Sequence, residues 1–476
     1  MYTHELCGNK VLLSPFFSLR KMLATSLFAV VVAPASVLPA PKSDFFLNVS
    51  YFNAATLGPC SRDIVRRMAD DMALMESNPA DHYFGKLDPI EYSGPTFLQR
   101  NEQVRSAVAT FIGASSVAEV ALMPSTTVSL NTVADGLISS GFLSPGDHVL
   151  TTDQEHAGGY VNWVHYANCT QALRAAGWCS VTAAPSRANA TKNMLTVDIL
   201  DIPVTPASAA PKTVADIVAR FERALTREPR TRVVAVSHVT TTHGLVLPIK
   251  ELAQLAHSRG AILVVDGAQA LGMPVNVTAM GADIYATSAH KWLLAPKGSG
   301  VLYVANHLKY AVTATVLDGG MATYTAQTGT RPAHTINGLG YAVDYFARFG
   351  GPAAVGAYNL ELRAKAYDLL LPHLLAVNGS MIGAPGRSGP LVSPILTFAL
   401  PQPGWTAAAF AAKLAEQGMI VKMGGRGAFV NEGGPTMPMH AIRLSFHLYN
   451  TEADVRQLMS AIGTLLRNSP ESVYSG

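Results

Sequence analysis

Charge and cysteine are both scarce in this chain. Lysine, arginine, aspartate and glutamate together make up 14% of its 476 residues, and they balance to a formal +3. No block of like charge stands out, so the electrostatic footprint of a nucleic-acid binder is missing. The four cysteines, Cys7, Cys60, Cys169 and Cys179, form no CxxC pair and show no metal-ligand spacing, which argues against a cysteine-bound metal. Cys169 and Cys179 could close a local disulfide in an oxidising compartment; free thiols are the alternative. Long apolar runs are lacking too. The stretch from Met22 to Ala33 is too short for a convincing transmembrane helix.

Acids are nearly absent from the first 43 residues, where Glu5 stands alone. Arg20 and Lys21 precede the apolar stretch, and the small residues Ala35, Ser36 and Ala40 follow it. Basic, then apolar, then small is the order of a secretory signal peptide. An acid-poor segment with Lys10, Arg20 and Lys21 also suits a mitochondrial or other organelle transit peptide. The segment 1–43 therefore reads as a leader for the secretory pathway or, alternatively, an organelle, with membrane contact only if it is retained. Asn48, Asn168, Asn189, Asn276 and Asn378 each begin an Asn-x-Ser/Thr triplet.

What the chain has in quantity is apolar residues, 49% of the total, enough for the core of a two-domain protein. Residues 44–95 read as an irregular arm with a helix near Asp63–Met75, since Ile64, Met68, Met72 and Met75 share helical spacing. From 96 to 351, helical stripes alternate with buried strands such as Val233–Val236 and Ala261–Val265. That alternation implies an α/β domain whose mainly parallel sheet is sandwiched by helices. From 352 to 476 the pattern becomes a smaller α+β domain. It has a long helix, Ala357–Leu375, strands at Ile395–Leu400 and Ala441–Phe446, and helices at Thr406–Gln417 and Glu452–Leu466. Gly424, Gly425 and Gly427 mark a loop between them.

One stretch carries the chemistry. The apolar run Val264-Val265 ends in Asp266-Gly267-Ala268-Gln269, and Ser288-Ala289-His290-Lys291 follows a second strand signal. Ligands of open parallel sheets bind at the carboxyl ends of strands, where Asp266 stands. An acid for a pyridine nitrogen, a polar group for a ring hydroxyl and a lysine for an aldehyde are what pyridoxal phosphate (PLP) requires. With these motifs the chain resembles the class V aminotransferase superfamily, which includes cysteine desulfurases, isopenicillin N epimerase, kynureninase and carbon–sulfur lyases. The likeness covers about residues 50 to 465.

That resemblance implies fold type I of the PLP-dependent transferases and a set of roles. Lys291 would form the Schiff base with the cofactor and then move a proton at the substrate α-carbon. Asp266 would hold the ring nitrogen protonated, and Gln269 would donate to the ring hydroxyl. Ser288 and His290 would contact the phosphate, as would Thr126 and Thr127 at the start of a helix, where backbone N–H groups collect; Val128 replaces the family's Glu there. His156, in Asp153-Gln154-Glu155-His156, would stack on the ring, and the adjoining Ala157-Gly158-Gly159 and Trp163 strengthen the likeness. Lys291, Asp266 and His156 are thus the expected catalytic residues.

Gly329-Thr330-Arg331 resembles the segment whose Thr reaches a neighbouring subunit's cofactor, which implies a homodimer with shared sites; Pro332 replaces the usual Asp. Arg443, in Arg443-Leu444-Ser445…Tyr449-Asn450-Thr451, would fork onto the substrate carboxylate. Asn53, in the segment Phe52 to Gly58, belongs to the substrate side. Asp81-His82-Tyr83-Phe84 receives no role.

The substrate is expected to be an amino acid. Desulfurases of the superfamily need a cysteine nucleophile in the C-terminal half, and this chain has none after Cys179. A persulfide-forming desulfurase is therefore disfavoured. A carbon–sulfur lyase, such as the hercynylcysteine sulfoxide lyases, needs Lys291 and no cysteine. An epimerase needs a second acid/base facing Lys291, for which Tyr83, His82 and His447 are candidates. A transaminase leaves no distinctive mark. A secreted binding protein that kept the fold without turnover is the non-enzymatic alternative, weakened by the joint presence of Asp266, Gln269, Lys291 and Arg443.

Overall fold

The computed structural model describes residues 38–85, 95–167, 173, 194–203, 211–314, 329–402, 404–423 and 440–468. The leader before 38, the Cys169/Cys179 pair, the Asn168 and Asn189 triplets and the loop with Gly424, Gly425 and Gly427 lie outside them.

The strands are β1 (Ser50–Tyr51), β2 (Val120–Met123), β3 (His148–Thr152), β4 (Thr196–Leu200), β5 (Thr231–Ser237), β6 (Ile262–Asp266), β7 (Ile284–Ser288) and β8 (Gly300–Val304). They continue as β9 (Ser380–Ile382), β10 (Ile395–Ala399), β11 (Met419–Ile420), β12 (Lys422–Met423) and β13 (Ala441–Ser445). Seven of them form one sheet in the order β2-β8-β7-β6-β5-β3-β4. All of its neighbours pair in parallel except those of β8, which runs antiparallel to β2 and β7. Alternate residues feed opposite faces. Val234, Val236, Leu263 and Val265 enter one apolar cluster, while Val233, Ala235, Ile262 and Val264 enter another. A sheet apolar on both faces must be covered on both, which explains the near-continuous apolar strands.

The helices are α1 (Arg62–Ser77), α2 (Pro79–Phe84), α3 (Phe97–Ile112), α4 (Thr126–Ser139), α5 (Ala157–His165), α6 (Val214–Arg227) and α7 (Ile249–Ser258). After them come α8 (Val277–Met280), α9 (Ala333–Ala347), α10 (Gly351–Leu375), α11 (Ala407–Ala415) and α12 (Glu452–Arg467). Hydroxyl side chains cap several starts: Ser61 for α1, Thr96 for α3, Ser125 for α4, Thr213 for α6 and Thr451 for α12. The long helix expected from Ala357 begins six residues earlier, at Gly351, because Pro352 fits the first turn.

The C-terminal region has its own antiparallel sheet, β12-β13-β10-β9, and its own core around Leu370, Phe398, Phe410, Leu444 and Leu458. The N-terminal arm is built into that region. β1 pairs in parallel with β11, Asn53 bridges to Ser445, and Phe52 is buried in the same core. Arm residues are thereby carried to the loop after Asp266, where the Gln269 amide donates to the Ala55 carbonyl.

Candidate active site

The carboxyl ends of β3, β5, β6 and β7 supply the floor of the site. Asp266 is the last residue of β6, in register with Ser237 on β5 and Ala286 on β7. The Ala268 N–H donates to its Oδ1 at 2.9 Å. Burial raises the pKa of this carboxyl; the Ala268 bond and the Lys291 charge pull it back down. Lys291 sits in the turn after β7, and burial there lowers its pKa to about 8, with Asp266 opposing and Arg443 assisting. More of this amine is therefore neutral at pH 7 than of an ordinary lysine. Leu294 closes the turn in the left-handed region (φ 56°), a strained conformation held by a fully buried side chain.

Ser288 and Thr126 meet across the β7–α4 junction. The Thr126 N–H donates to Ser288 Oγ at 3.1 Å, and the two hydroxyls lie 2.7 Å apart. Thr127, one residue into α4, faces Gly158, where an added Cβ would sit 2.6 Å from Thr127 Oγ1. The N-termini of α4 and α5 thus converge, and the positive ends of two helix dipoles favour an anion between them. His290 donates from Nδ1 to the Ser299 carbonyl at 3.1 Å, which leaves Nε2 as an acceptor in the neutral ring. Burial and the nearby Lys291 charge lower its pKa.

His156 is the N-cap of α5, its Nδ1 accepting from the Gly158 N–H at 3.2 Å. Its pKa is pushed down to about 4 by burial, then by the Lys291 and Arg443 charges, so the ring is neutral at pH 7. Gly159 opens the space beside Asp266: a Cβ there would lie 3.2 Å from Asp266 Oδ2. Trp163 is fully buried in a core cluster of the large sheet, so its part is packing.

The substrate side is assembled from distant segments. Arg443, on β13, donates from Nη1 to the Thr241 carbonyl at 2.8 Å. Its Nη2 donates to Thr56 Oγ1 at 2.7 Å and Asn53 Oδ1 at 3.2 Å. Its buried Nε has no partner among the described residues. Burial lowers its pKa to about 10, which still leaves it charged at neutral pH. An immobilised, buried guanidinium with an unsatisfied N–H is suited to a carboxylate.

Other expected residues fall differently. The Gln269 amide donates to the Ala55 carbonyl at 2.9 Å, and its oxygen accepts from Trp292 Nε1 at 2.8 Å. One amide hydrogen is left for a ring hydroxyl; the other clamps the arm. Gly58 completes that clamp: its N–H donates to the His290 carbonyl at 2.9 Å. A Cβ at Gly58 would sit 2.0 Å from the Lys291 carbonyl, so only glycine allows this approach. Thr330 is exposed, beside an Arg331 whose backbone N–H donates to Tyr83 Oη at 2.8 Å. His82 contacts Ser77 Oγ at 3.0 Å through Nε2. His447 donates from Nε2 to the Trp292 carbonyl, and its Nδ1 accepts from the Leu448 N–H, each at 2.8 Å. With both nitrogens engaged and the ring fully buried, His447 cannot exchange protons with a substrate, contrary to its candidacy as a second acid/base. Glu155, Thr56 and the Thr241 carbonyl were not singled out from sequence. Glu155 and Thr56 stand inside motifs quoted for their neighbours, whereas a backbone carbonyl leaves no residue signal.

The Aminotransferase class-V family profile matches residues 90–176 and 188–458. The chain belongs to that family. A cysteine desulfurase of Yersinia pestis is 28% identical over 387 residues, covering 77% of this chain and 82% of that protein. One from Klebsiella pneumoniae is 28% identical over 385 residues, covering 76% and 82%. Among solved structures, the apo cysteine desulfurase of Thermococcus onnurineus superposes with a TM-score of 0.68 at 22% identity, covering 88% of this chain and 95% of that one. The cystine C–S lyase C-DES, in complex with cysteine persulfide, gives 0.64 at 19%, covering 87% and 97%. These likenesses bear out fold type I.

The protein is accordingly a PLP-dependent enzyme, and its residues fit the cofactor. Asp266 can hold the ring nitrogen, His156 lies at the start of α5 beside it, and Thr126, Thr127 and Ser288 can hold the phosphate. Lys291, its pKa lowered to about 8 by burial, can supply the amine for the aldehyde.

Proposed function

We propose that this class-V enzyme is a carbon–sulfur lyase that cleaves an L-cysteine derivative directly, without an enzyme-bound persulfide. The relatives are cysteine desulfurases and a cystine lyase, yet no cysteine follows Cys179 in this chain, and that single observation carries the reading. The bound cofactor would supply an electron sink for the α-carbon. Arg443 would take the substrate carboxylate through its unpartnered Nε hydrogen. Lys291 would remove the α-proton. The β-carbon–sulfur bond then breaks, sulfur departs as thiol, and water releases the remaining three carbons and nitrogen as pyruvate and ammonium. The balance is one cysteine S-conjugate and one water consumed for one thiol, one pyruvate and one ammonium formed.

Epimerisation is the weaker reading, because Tyr83, His82 and His447 are each engaged with other protein groups. A homodimer remains part of the proposal: Thr330 is exposed, as a residue reaching a partner's cofactor would be. Secretory routing is a proposal as well; among the described triplets Asn48, Asn276 and Asn378 are exposed, and Asn276 Oδ1 also caps α8. No described helix is long and apolar enough to cross a membrane.

Proton NMR of the PLP-loaded protein in heavy water, with L-amino acids, cysteine S-conjugates and sulfoxides, tests the reaction. Pyruvate with a released thiol is expected. Deuterium at the α-carbon with appearance of the D-form, and no loss of substrate, would replace the lyase by an epimerase.

A further inference from the structure

Glu155 is 4% exposed and lies between strand ends. Thr152, the last residue of β3, donates from Oγ1 to its Oε1 at 2.7 Å. Ser237, the last residue of β5 and in register with Asp266, donates from Oγ to its Oε2 at 2.6 Å. One carboxyl therefore ties the ends of β3 and β5 together and fixes the backbone where His156 begins α5. It also shares a point in space with Asp266. A methyl group on Gly159 would lie 3.2 Å from Asp266 Oδ2 and 3.6 Å from Glu155 Oε2. Two carboxyls removed from water this close to each other oppose each other's ionisation. Burial and the Asp266 charge bring Glu155 to about 7, against the opposing pull of its two hydroxyl donors.

The surrounding charges do not relieve the pair. His238, the residue after β5, whose N–H donates to the Asp266 carbonyl, is held neutral by burial, with its pKa lowered to about 4. His156 is neutral for the same reason, and Tyr285 on β7 is pushed far above its usual range. Lys291, whose charge acts on Asp266, is the amine that the cofactor consumes. A new cation at Asp266, the protonated ring nitrogen, is what both carboxyls favour.

We propose that Glu155 is a positioning residue for the cofactor: its carboxylate backs Asp266 from behind and makes the floor of the site select a protonated ring nitrogen. This rests on the cofactor alone and holds whichever reaction the enzyme performs.

The test is PLP affinity of the full-length apoprotein, read by quenching of tryptophan fluorescence from pH 5.5 to 8.5, for wild type and Glu155→Gln. The phosphate of PLP and Lys291 titrate in both proteins and cancel in the ratio of dissociation constants. That ratio is expected to rise from about one at pH 5.5 to about ten at pH 8.5, roughly one pKa unit of coupling. A ratio that is constant across pH, whether one or larger, would overturn the proposal, because a merely structural role does not titrate. Ser237→Ala provides a second reading that keeps the carboxyl. Loss of a hydroxyl donor should move the midpoint of the pH dependence upward, and an unmoved midpoint counts against Glu155 equally. A wild-type protein that bound no PLP would remove the cofactor and this proposal together.

Discussion

Asp266, Gln269, Ser288, His290 and Lys291 come from one stretch, 266–291, whereas Arg443 meets Asn53 and Thr56 across 390 and 387 residues. The cofactor side is rigid by construction. Its groups stand at the ends of paired strands buried on both faces, so their spacing follows from sheet geometry. The substrate side is an alliance of an arm, a loop after β5 and a strand of the smaller sheet, held by individual hydrogen bonds. A floor built from adjacent strands tolerates little movement. A wall built from distant segments can be adjusted one bond at a time, which is where substrate choice among relatives of one fold is expected to reside.

Mutations should separate the two sides. The largest effect belongs to Lys291→Ala, which should abolish turnover while the protein still binds PLP through Asp266 and the Thr126–Ser288 pair; normal turnover by this variant would sink the catalytic assignment. Arg443→Ala should raise KM for the carboxylate-bearing substrate by about 10- to 150-fold, the range of about 1.5–3 kcal/mol for a hydrogen bond to a charged group, with a smaller change in kcat. An unchanged KM would remove Arg443 from the substrate side. Thr56→Val loses one of the bonds that orient Nη2 and should raise KM about three- to tenfold, with PLP affinity unchanged. Equal losses in PLP affinity and KM would mean the two sides are not separable.

The same contrast governs what could be read from sequence. Apolar runs ending in Asp266 and preceding Ser288 located two central strands and the acid at their edge. The Thr126 start of α4 was legible from hydroxyls before an apolar stripe. In contrast, β1 and β11 are two residues each, too short for any periodicity, and pair across more than 360 positions. The antiparallel β8 resembles its parallel neighbours in composition, because direction is not written in a buried strand. Gln269 was assigned to the cofactor by its spacing from Asp266, but its second bond to the Ala55 carbonyl depends on a backbone group carrying no residue signal. His447 looked available because histidine titrates near neutrality, and only the fold reveals both nitrogens engaged.

His447 also offers the smallest effect and a test of that last point. Burial lowers the pKa of His156, His238 and His447 to about 4 and of His243 to about 3. Unfolded histidines take up protons near 6.5, so between about pH 6.5 and 4 the unfolded chain binds more protons than the native one. The stability these neutral rings allow is complete above 6.5 and falls as the pH drops through that window. Glu155 acts with opposite sign. Its native proton affinity exceeds that of an unfolded glutamate, so its contribution falls as the pH rises from about 4.5 to 7. His447→Gln removes one of these titrating rings and can keep the donor to the Trp292 carbonyl. Thermal melts of the apoprotein should then show an acid limb shallower by about one proton, roughly 1.4 kcal/mol per pH unit at 25 °C, while the midpoints of the kcat–pH profile stay in place. A shift of those midpoints would return His447 to proton transfer. An unchanged acid limb would instead mean that the ring already carries its proton in the native state, which its bond from the Leu448 N–H to Nδ1 does not permit.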